Sequence, residues 1–160
     1  MTKQAEQDLG SAYTPASGWP VMRKMAEDLK RLGKRYGQGF YEYPANAKKR
    51  LWAGLGEHFP LSATQPDVEE VKRRLLYIQA LETARCMEEG VLTNPIDGDL
   101  GSILGWGFPA WTGGTLSFID TVGIQTFVTE CERMAQAYGP RFAPSAALRA
   151  RAAKAEAFYP

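Results

Sequence analysis

Histidine and cysteine, two residue types often used in catalysis and metal binding, are scarce in this chain, which has one histidine and two cysteines. His58 lies in a Gly/Pro loop without a nucleophile spaced to pair with it, so a surface or packing role is favoured over catalysis. Cys86 and Cys131 lie in helical patterns and lack the close ligand spacing of a zinc site. We expect both to be buried thiols in a reducing compartment, which favours the cytoplasm. No catalytic residue and no metal ligand is predicted.

Two carboxylates lie close together at Asp97 and Asp99, spaced i, i+2. This spacing puts them on different faces of a helix, so they are expected to be first-turn charges rather than a catalytic pair. The two G-x-G sequences, at Gly37 and Gly105, do not extend to G-x-G-x-x-G between a strand and a helix. The sequence therefore predicts no nucleotide cofactor bound by this chain.

Basic residues are concentrated between Arg23 and Arg50, where nine Lys and Arg stand against three acidic residues. They are interleaved with Tyr36, Phe40, Tyr41 and Tyr43, a mixture typical of phosphate or single-strand binding. It is also compatible with the phosphate-bearing tail of coenzyme A. The net charge of the whole chain is only +1, which favours a solvated basic face and argues against bulk nucleic-acid or membrane-surface binding.

The segment from Asn94 to Gly123 contains seven of the sixteen glycines and two of the four tryptophans. Asn94 is expected to cap a helix that begins at Pro95. That helix is predicted to turn Leu100, Ile103 and Leu104 inward, and Thr112 or Thr115 to cap a second short helix ending at Gly123. Between them lies an aromatic loop so rich in glycine that we expect close packing against a helix or a ligand. The candidates for substrate contact are Trp106, Phe108, Pro109 and Trp111, with core packing as the alternative.

Hydrophobic periodicity predicts an all-α fold, a helical bundle. The longest helix is expected to be apolar on several sides and covered from several directions, and an irregular or short extended segment is expected around Tyr41. The predicted helices cover Trp19–Leu32, a stretch around Ala47–Leu55, Pro66–Glu89, Ile124–Tyr138 and Ser145–Phe158. No apolar run approaches the roughly 20 residues of a membrane span, and the first residues do not form a signal peptide. We expect a flexible tail over residues 1–18, a helical segment with linker over 19–65 and a helical domain over 66–160.

Two motifs carry a family resemblance. From Arg74 onward, a predicted long helix ends in the sequence Glu-Glu-Gly-Val. The motif D-x-D-x-G-x-x-x-G-x-G-F-P comes next, and Gly113-Gly114 and Asp120 follow it. This run resembles the carboxy-terminal domain of L-3-hydroxyacyl-CoA dehydrogenases, in the form that ends the multifunctional fatty-acid oxidation proteins, which join a hydratase to a dehydrogenase. The earlier sequence RLGKRYGQGFYEYP is similar to the tail that closes the linked dehydrogenase segment.

The resemblance implies an all-helical domain that packs against a Rossmann NAD domain of the parent enzyme. That NAD domain and the family's catalytic His, Glu and Asn have no counterpart here; Asn94 lies in another motif. The resemblance therefore implies the carboxy-terminal part of an NAD-dependent enzyme of fatty-acid β-oxidation that is inert alone. Two other hypotheses stay open: a non-catalytic helical dimerisation or docking module, with a homodimer formed through the long helices, and an acyl-CoA contact through the aromatic loop.

Overall fold

The computed structural model describes residues 2–15 and 18–159. Within them the chain forms eight α-helices and a single two-stranded sheet, which confirms the all-α prediction. The chain divides into two compact units, one up to Gln65 and the other from Pro66 onward. Each unit is described by itself.

The first unit begins with a polar helix, α1 (Thr2–Leu9), inside the segment predicted to be a flexible tail; its flexibility stays a prediction. Helix α2 (Trp19–Arg23) continues as a π-helical turn over Lys24–Asp28, in which Met25 is buried. The predicted helix to Leu32 is therefore too long. It ends early because Lys30 adopts a left-handed conformation, with φ of +55°.

The aromatic segment forms an antiparallel hairpin of strands β1 (Tyr41–Glu42) and β2 (Arg50–Leu51). Of the two alternatives predicted here, irregular or short extended, the structure shows the extended one. The helix predicted around Ala47–Leu55 is wrong, because Arg50 and Leu51 pair with β1 instead. A four-residue helix, α3 (Leu55–His58), follows the hairpin.

The second unit is built on helix α4 (Val68–Glu88), whose Asp67 cap accepts a hydrogen bond from the Glu70 amide at 2.9 Å. Its buried face carries Tyr77, Ala80, Leu81, Thr83 and Ala84. The prediction that this helix is covered from several directions is wrong, since Val68 and Leu75 are 64% and 57% exposed. Only one face of α4 packs into the core.

Four further helices complete this unit: α5 (Pro95–Gly101), α6 (Thr115–Val122), α7 (Ile124–Tyr138) and α8 (Ala146–Ala153). Helix α6 packs between α4 and α7, and α8 packs on α7. Tyr77, Phe118 and Phe127 form the aromatic centre, with Tyr77 and Phe127 stacked at 4.7 Å between ring centroids. Helix α8 ends earlier than predicted, and Ala155 beyond it has φ of +51°. Tyr138, the last residue of α7, is exposed.

Candidate functional site: the glycine-rich helix and loop

Helix α5 begins as the sequence predicts. The Asn94 side chain accepts a hydrogen bond from the Ile96 amide at 3.0 Å, Pro95 is the first helical residue, and Asp97 lies in the first turn. The helix continues as a π-helical turn over Ser102–Trp106. It ends where Gly107 adopts the left-handed conformation, with φ of +77°.

The burial of α5 is the reverse of the prediction. Its inner face consists of Gly98, Asp99 and Ser102. Leu100 and Leu104, predicted to point inward, are 53% and 81% exposed, and Ile103 is half-buried.

The reason for this reversal is the close approach of α5 to its neighbours. A Cβ at Gly98 would lie 3.1 Å from the Thr83 methyl carbon and 3.3 Å from a Leu116 methyl carbon. Only small residues allow this approach, so the large apolar side chains of α5 point away from the core of this unit.

Asp99 is a buried carboxylate that holds the start of α6. It accepts hydrogen bonds from the amides of Leu116 at 2.7 Å and Ser117 at 3.1 Å, and from the Ser117 hydroxyl at 2.6 Å. A carboxylate at a helix N-terminus satisfies orphan N–H groups and faces the positive end of the helix dipole. The first-turn interpretation therefore holds for Asp97 and is wrong for Asp99.

The prediction that Thr112 or Thr115 caps α6 is wrong, because Asp99 accepts the hydrogen bonds from the first amides of this helix. Gly114 precedes α6 with φ of +119°, and a Cβ there would overlap the Cβ of Asp99. Asp99 can therefore reach the helix only across a glycine. The Thr115 hydroxyl is buried with no hydrogen-bond partner among the described residues.

Asp120 and Asp99 together fix the last described residues of the chain. The Asp120 carboxylate accepts from the amides of Phe158 and Tyr159, both at 2.9 Å. The Tyr159 hydroxyl donates to Asp99 at 2.7 Å. Desolvation, together with this hydrogen bond, raises the pKa of Tyr159 to about 12. Sequence reasoning missed Tyr159 because its partners, Asp120 and Asp99, lie 39 and 60 residues away.

The four candidate substrate residues do not share one environment. Phe108 is a core residue, 2% exposed, and meets Phe118 edge-on at 6.2 Å between ring centroids. Pro109 is half-buried, whereas Trp106 and Trp111 are 58% and 79% exposed. Substrate contact by this set stays a prediction.

Trp106 borders an apolar cleft of about 340 Å³ between α4 and α5. Its surface is almost entirely apolar and includes the side chains of Cys86, Val91 and Leu92 and the backbone of Gly98 and Gly101. The polar groups beside it are those of Gln79, Glu82, Thr83 and Asp97. An apolar concavity of this size is typical of sites that receive a large side chain or a small ligand.

Other chemistry-bearing groups are dispersed. Within residues 2–15 and 18–159, no group of three or more His, Cys, Asp or Glu could hold a metal ion. His58 stacks on Trp52 at 5.4 Å between ring centroids in the first unit. Cys131 is fully buried, and desolvation raises the pKa of its thiol to about 12. Cys86 is partly exposed, which corrects its predicted burial.

None of the helices in the described part of the chain is long and apolar enough to cross a membrane.

No family model matches the chain. It is 36% identical over 157 residues to the fatty acid oxidation complex subunit alpha of Shewanella amazonensis. The aligned region covers 96% of this chain and 22% of that protein. The proteins of the same name are 35% identical over 131 residues in Vibrio cholerae serotype O1 and 33% identical over 159 residues in Shewanella oneidensis. The chain spans about a fifth of the length of these relatives. Over nearly all of its own length, the chain is thus related to one segment of the fatty acid oxidation complex alpha subunits, which confirms the resemblance carried by its glycine-rich motif.

Proposed function

We propose that this chain is the carboxy-terminal helical portion of an NAD-dependent L-3-hydroxyacyl-CoA dehydrogenase of fatty-acid β-oxidation. In this proposal the chain supports domain packing and is inert alone. The name of its relatives and the D-x-D-x-G motif support the assignment to fatty-acid oxidation. The greater length of the relatives leaves room for a Rossmann NAD-binding domain as its partner.

The inertness is supported by how the polar groups of the motif are used. Asp99 and Asp120 accept hydrogen bonds from the backbone of α6 and of the chain end, so both carboxylates are engaged in holding the fold. His58 lies in the other unit and stacks on Trp52. These engagements leave the motif without a group positioned to move a proton.

The residues present do not fit NAD. Dinucleotides bind at the carboxyl ends of parallel strands, with the pyrophosphate at a helix N-terminus. The described residues contain one short antiparallel hairpin. NAD therefore belongs, in this proposal, to the partner domain, and we assign the whole assembly to the cytoplasm.

The single observation that carries the supporting role is the outward apolar face of α5. A helix that buries Gly98 and Asp99 while exposing Leu100 and Leu104 has its apolar surface directed away from its own core. Exposed apolar patches of this kind mark protein–protein surfaces.

The test is an assay of the isolated chain with a 3-hydroxyacyl-CoA and NAD, followed at the NADH absorbance. We expect no reduction above a protein-free control, with an unrelated 3-hydroxyacyl-CoA dehydrogenase as the positive control. Reduction that saturates in both substrates would overturn the inertness.

The alternative is a non-catalytic helical dimerisation or docking module, which the same face of α5 favours. A further alternative is an acyl-CoA contact through Trp106, Phe108, Pro109 and Trp111, in which the exposed indoles of Trp106 and Trp111 would meet the ligand. Isothermal titration with an acyl-CoA tests this contact: heat of binding lost on Trp106→Ala and Trp111→Ala supports it, and no binding removes it.

A further inference from the structure

The backbone around the hairpin of the first unit runs back and forth four times. Isolated bridges join Gly33 to Gln38 and Gln38 to Glu42, and Glu42 pairs in turn with Arg50. All three pairings are antiparallel. The four segments therefore lie side by side in chain order, about 14 Å from the first to the last at the usual spacing between strands.

Two connections lie at the same end of this arrangement. An antiparallel chain reverses direction at alternate ends, so the first connection (34–37) and the third (43–49) lie together. The Tyr43 amide donates a hydrogen bond to the Gly37 carbonyl at 3.2 Å, which joins the two connections directly. Between them they carry four basic side chains, which we call the basic end: Lys34, Arg35, Lys48 and Lys49.

The charges of the basic end are not neutralised by acids of the first unit. All four side chains belong to exposed residues. Among the described residues of this unit, the ion pairs are Arg23 with Glu27 and Arg50 with Glu42, so neither pair involves the basic end. The acid nearest in the sheet, Glu42, is already held by Arg50 at 2.9 Å.

The base of the first connection is fixed by close packing. A Cβ at Gly39 would lie 2.8 Å from the Gly33 Cα, so two backbone segments touch there. The Arg31 guanidinium stacks on Trp52 at 4.1 Å from the ring centroid and donates to the Gly39 carbonyl at 2.8 Å. A connection held in this way loses little conformational freedom when it binds a ligand.

The positive charge is local, which decides the size of the ligand. From Leu29 to Gly54 there are seven Lys and Arg and one acid, whereas the other residues of the chain have twelve Lys and Arg and seventeen acids. The basic end attracts a compact anion, because its charges act together over a distance comparable to the Debye length of about 8 Å. The excess of acids in the rest of the chain disfavours a long polyanion.

We propose that the basic end binds a small molecule that carries a chain of two or three phosphates. Lys and Arg side chains donate charge-assisted hydrogen bonds to phosphate oxygens. Tyr36 lies in the first connection and is 60% exposed, so its ring is available to stack on a planar group attached to the phosphates. The binding involves the first unit alone and does not rest on the proposed function.

The first test is isothermal titration of the full chain with sodium tripolyphosphate. We expect saturable binding in about 0.05 M salt that weakens at least about 10-fold in about 0.5 M salt, because salt screens exposed charges.

Charge reversal at the basic end should remove the binding. Lys34→Glu combined with Lys48→Glu should weaken it at least about 10-fold. The matched control combines Lys72→Glu with Lys154→Glu, which makes the same change of net charge at exposed positions of the second unit and should leave the binding unchanged. Circular dichroism checks that both variants fold.

NMR amide shifts and a second ligand locate the site. Tripolyphosphate should shift the amides of residues 34–36 and 48–50 most and leave those of the second unit unchanged. Adenosine triphosphate without metal tests Tyr36: tighter binding that Tyr36→Ala weakens several-fold supports a stacked ring beside the phosphates. Equal binding of both ligands, unchanged in Tyr36→Ala, supports recognition of the phosphate chain alone.

Three results would overturn the proposal. They are an absence of saturable tripolyphosphate binding in about 0.05 M salt, equal weakening by the control variant, and amide shifts centred outside the two connections. A single-stranded oligonucleotide that binds more than about 10-fold tighter than tripolyphosphate would also overturn it, in favour of nucleic acid. These results leave the proposed inertness toward NAD untouched, since they concern the first unit alone.

Discussion

Replacing Asp99 tests whether its carboxylate acts as a clamp, by which we mean that it holds the start of α6 and Tyr159 together. Asp99→Ala removes a buried carboxylate that accepts from the Leu116 amide, from the Ser117 amide and hydroxyl, and from the Tyr159 hydroxyl. A hydrogen bond to a charged group contributes about 1.5–3 kcal/mol net, and a buried donor left unsatisfied costs about 1–3 kcal/mol. Because such contributions in one cluster are not additive, we expect a total loss of about 3–5 kcal/mol.

The loss should be read from urea unfolding followed by circular dichroism, with Asp97→Ala as the matched control. Asp97 is an exposed first-turn charge, whose removal should cost under about 1 kcal/mol. Native-state hydrogen exchange should also show faster exchange at the Leu116 and Ser117 amides in Asp99→Ala. Equal stability of the two variants, or unchanged exchange at these amides, would refute the clamp.

Three further predictions follow from contacts in the second unit. Gly114→Ala should lower the free energy of unfolding by more than about 3 kcal/mol, because its methyl group would overlap Asp99 at a φ of +119°. The control is Gly105→Ala, which has open space around its Cβ and should not lower the free energy of unfolding measured in urea. The pKa of Tyr159 is 10 in the unfolded chain and about 12 in the folded chain. Its neutral hydroxyl therefore contributes its full stabilisation below pH 10, and this stabilisation is lost as pH rises through about 12. Tyr159→Phe should abolish this loss of unfolding free energy at alkaline pH. The hydrogen bond from Arg133 lowers the pKa of Glu70, so its stabilisation is present above pH 4.5 and lost as pH falls through the lowered pKa; Arg133→Gln should remove this acid-dependent part in unfolding measured against pH.

The elements that the sequence predicts well are those with local signals. Asn94 is predicted as a cap, and its side chain accepts a hydrogen bond from an amide two residues away. Helix α7 has the predicted bounds, Ile124–Tyr138, and is followed by Gly139 and Pro140. Periodicity and caps depend on neighbours in the chain, so one sequence suffices to place these helices.

What the sequence does not reveal is decided by distant contacts. Asp99 and Asp120 bond to groups 17 to 60 residues away, and no local pattern encodes such partners. The strand at Arg50 forms because it pairs with residues near Tyr41.

The most informative error concerns which face of α5 is buried. Helical periodicity correctly places Leu100 and Leu104 on an apolar face, but periodicity cannot say which neighbour that face meets. Within this chain the inner side is taken by Gly98 and Asp99, because backbone approach and a clamp are needed there. The apolar side carries Leu100 and Leu104, which are exposed, and this exposure is the basis of the proposed supporting role.

In the proposed function, this chain supports an oxidation enzyme without carrying its catalytic groups. The most direct measurement is NADH formation by the purified full chain with a 3-hydroxyacyl-CoA and NAD, at protein concentrations up to the highest that stay soluble. We expect a rate that equals the protein-free control. A rate that rises in proportion to the chain and saturates with NAD would contradict it.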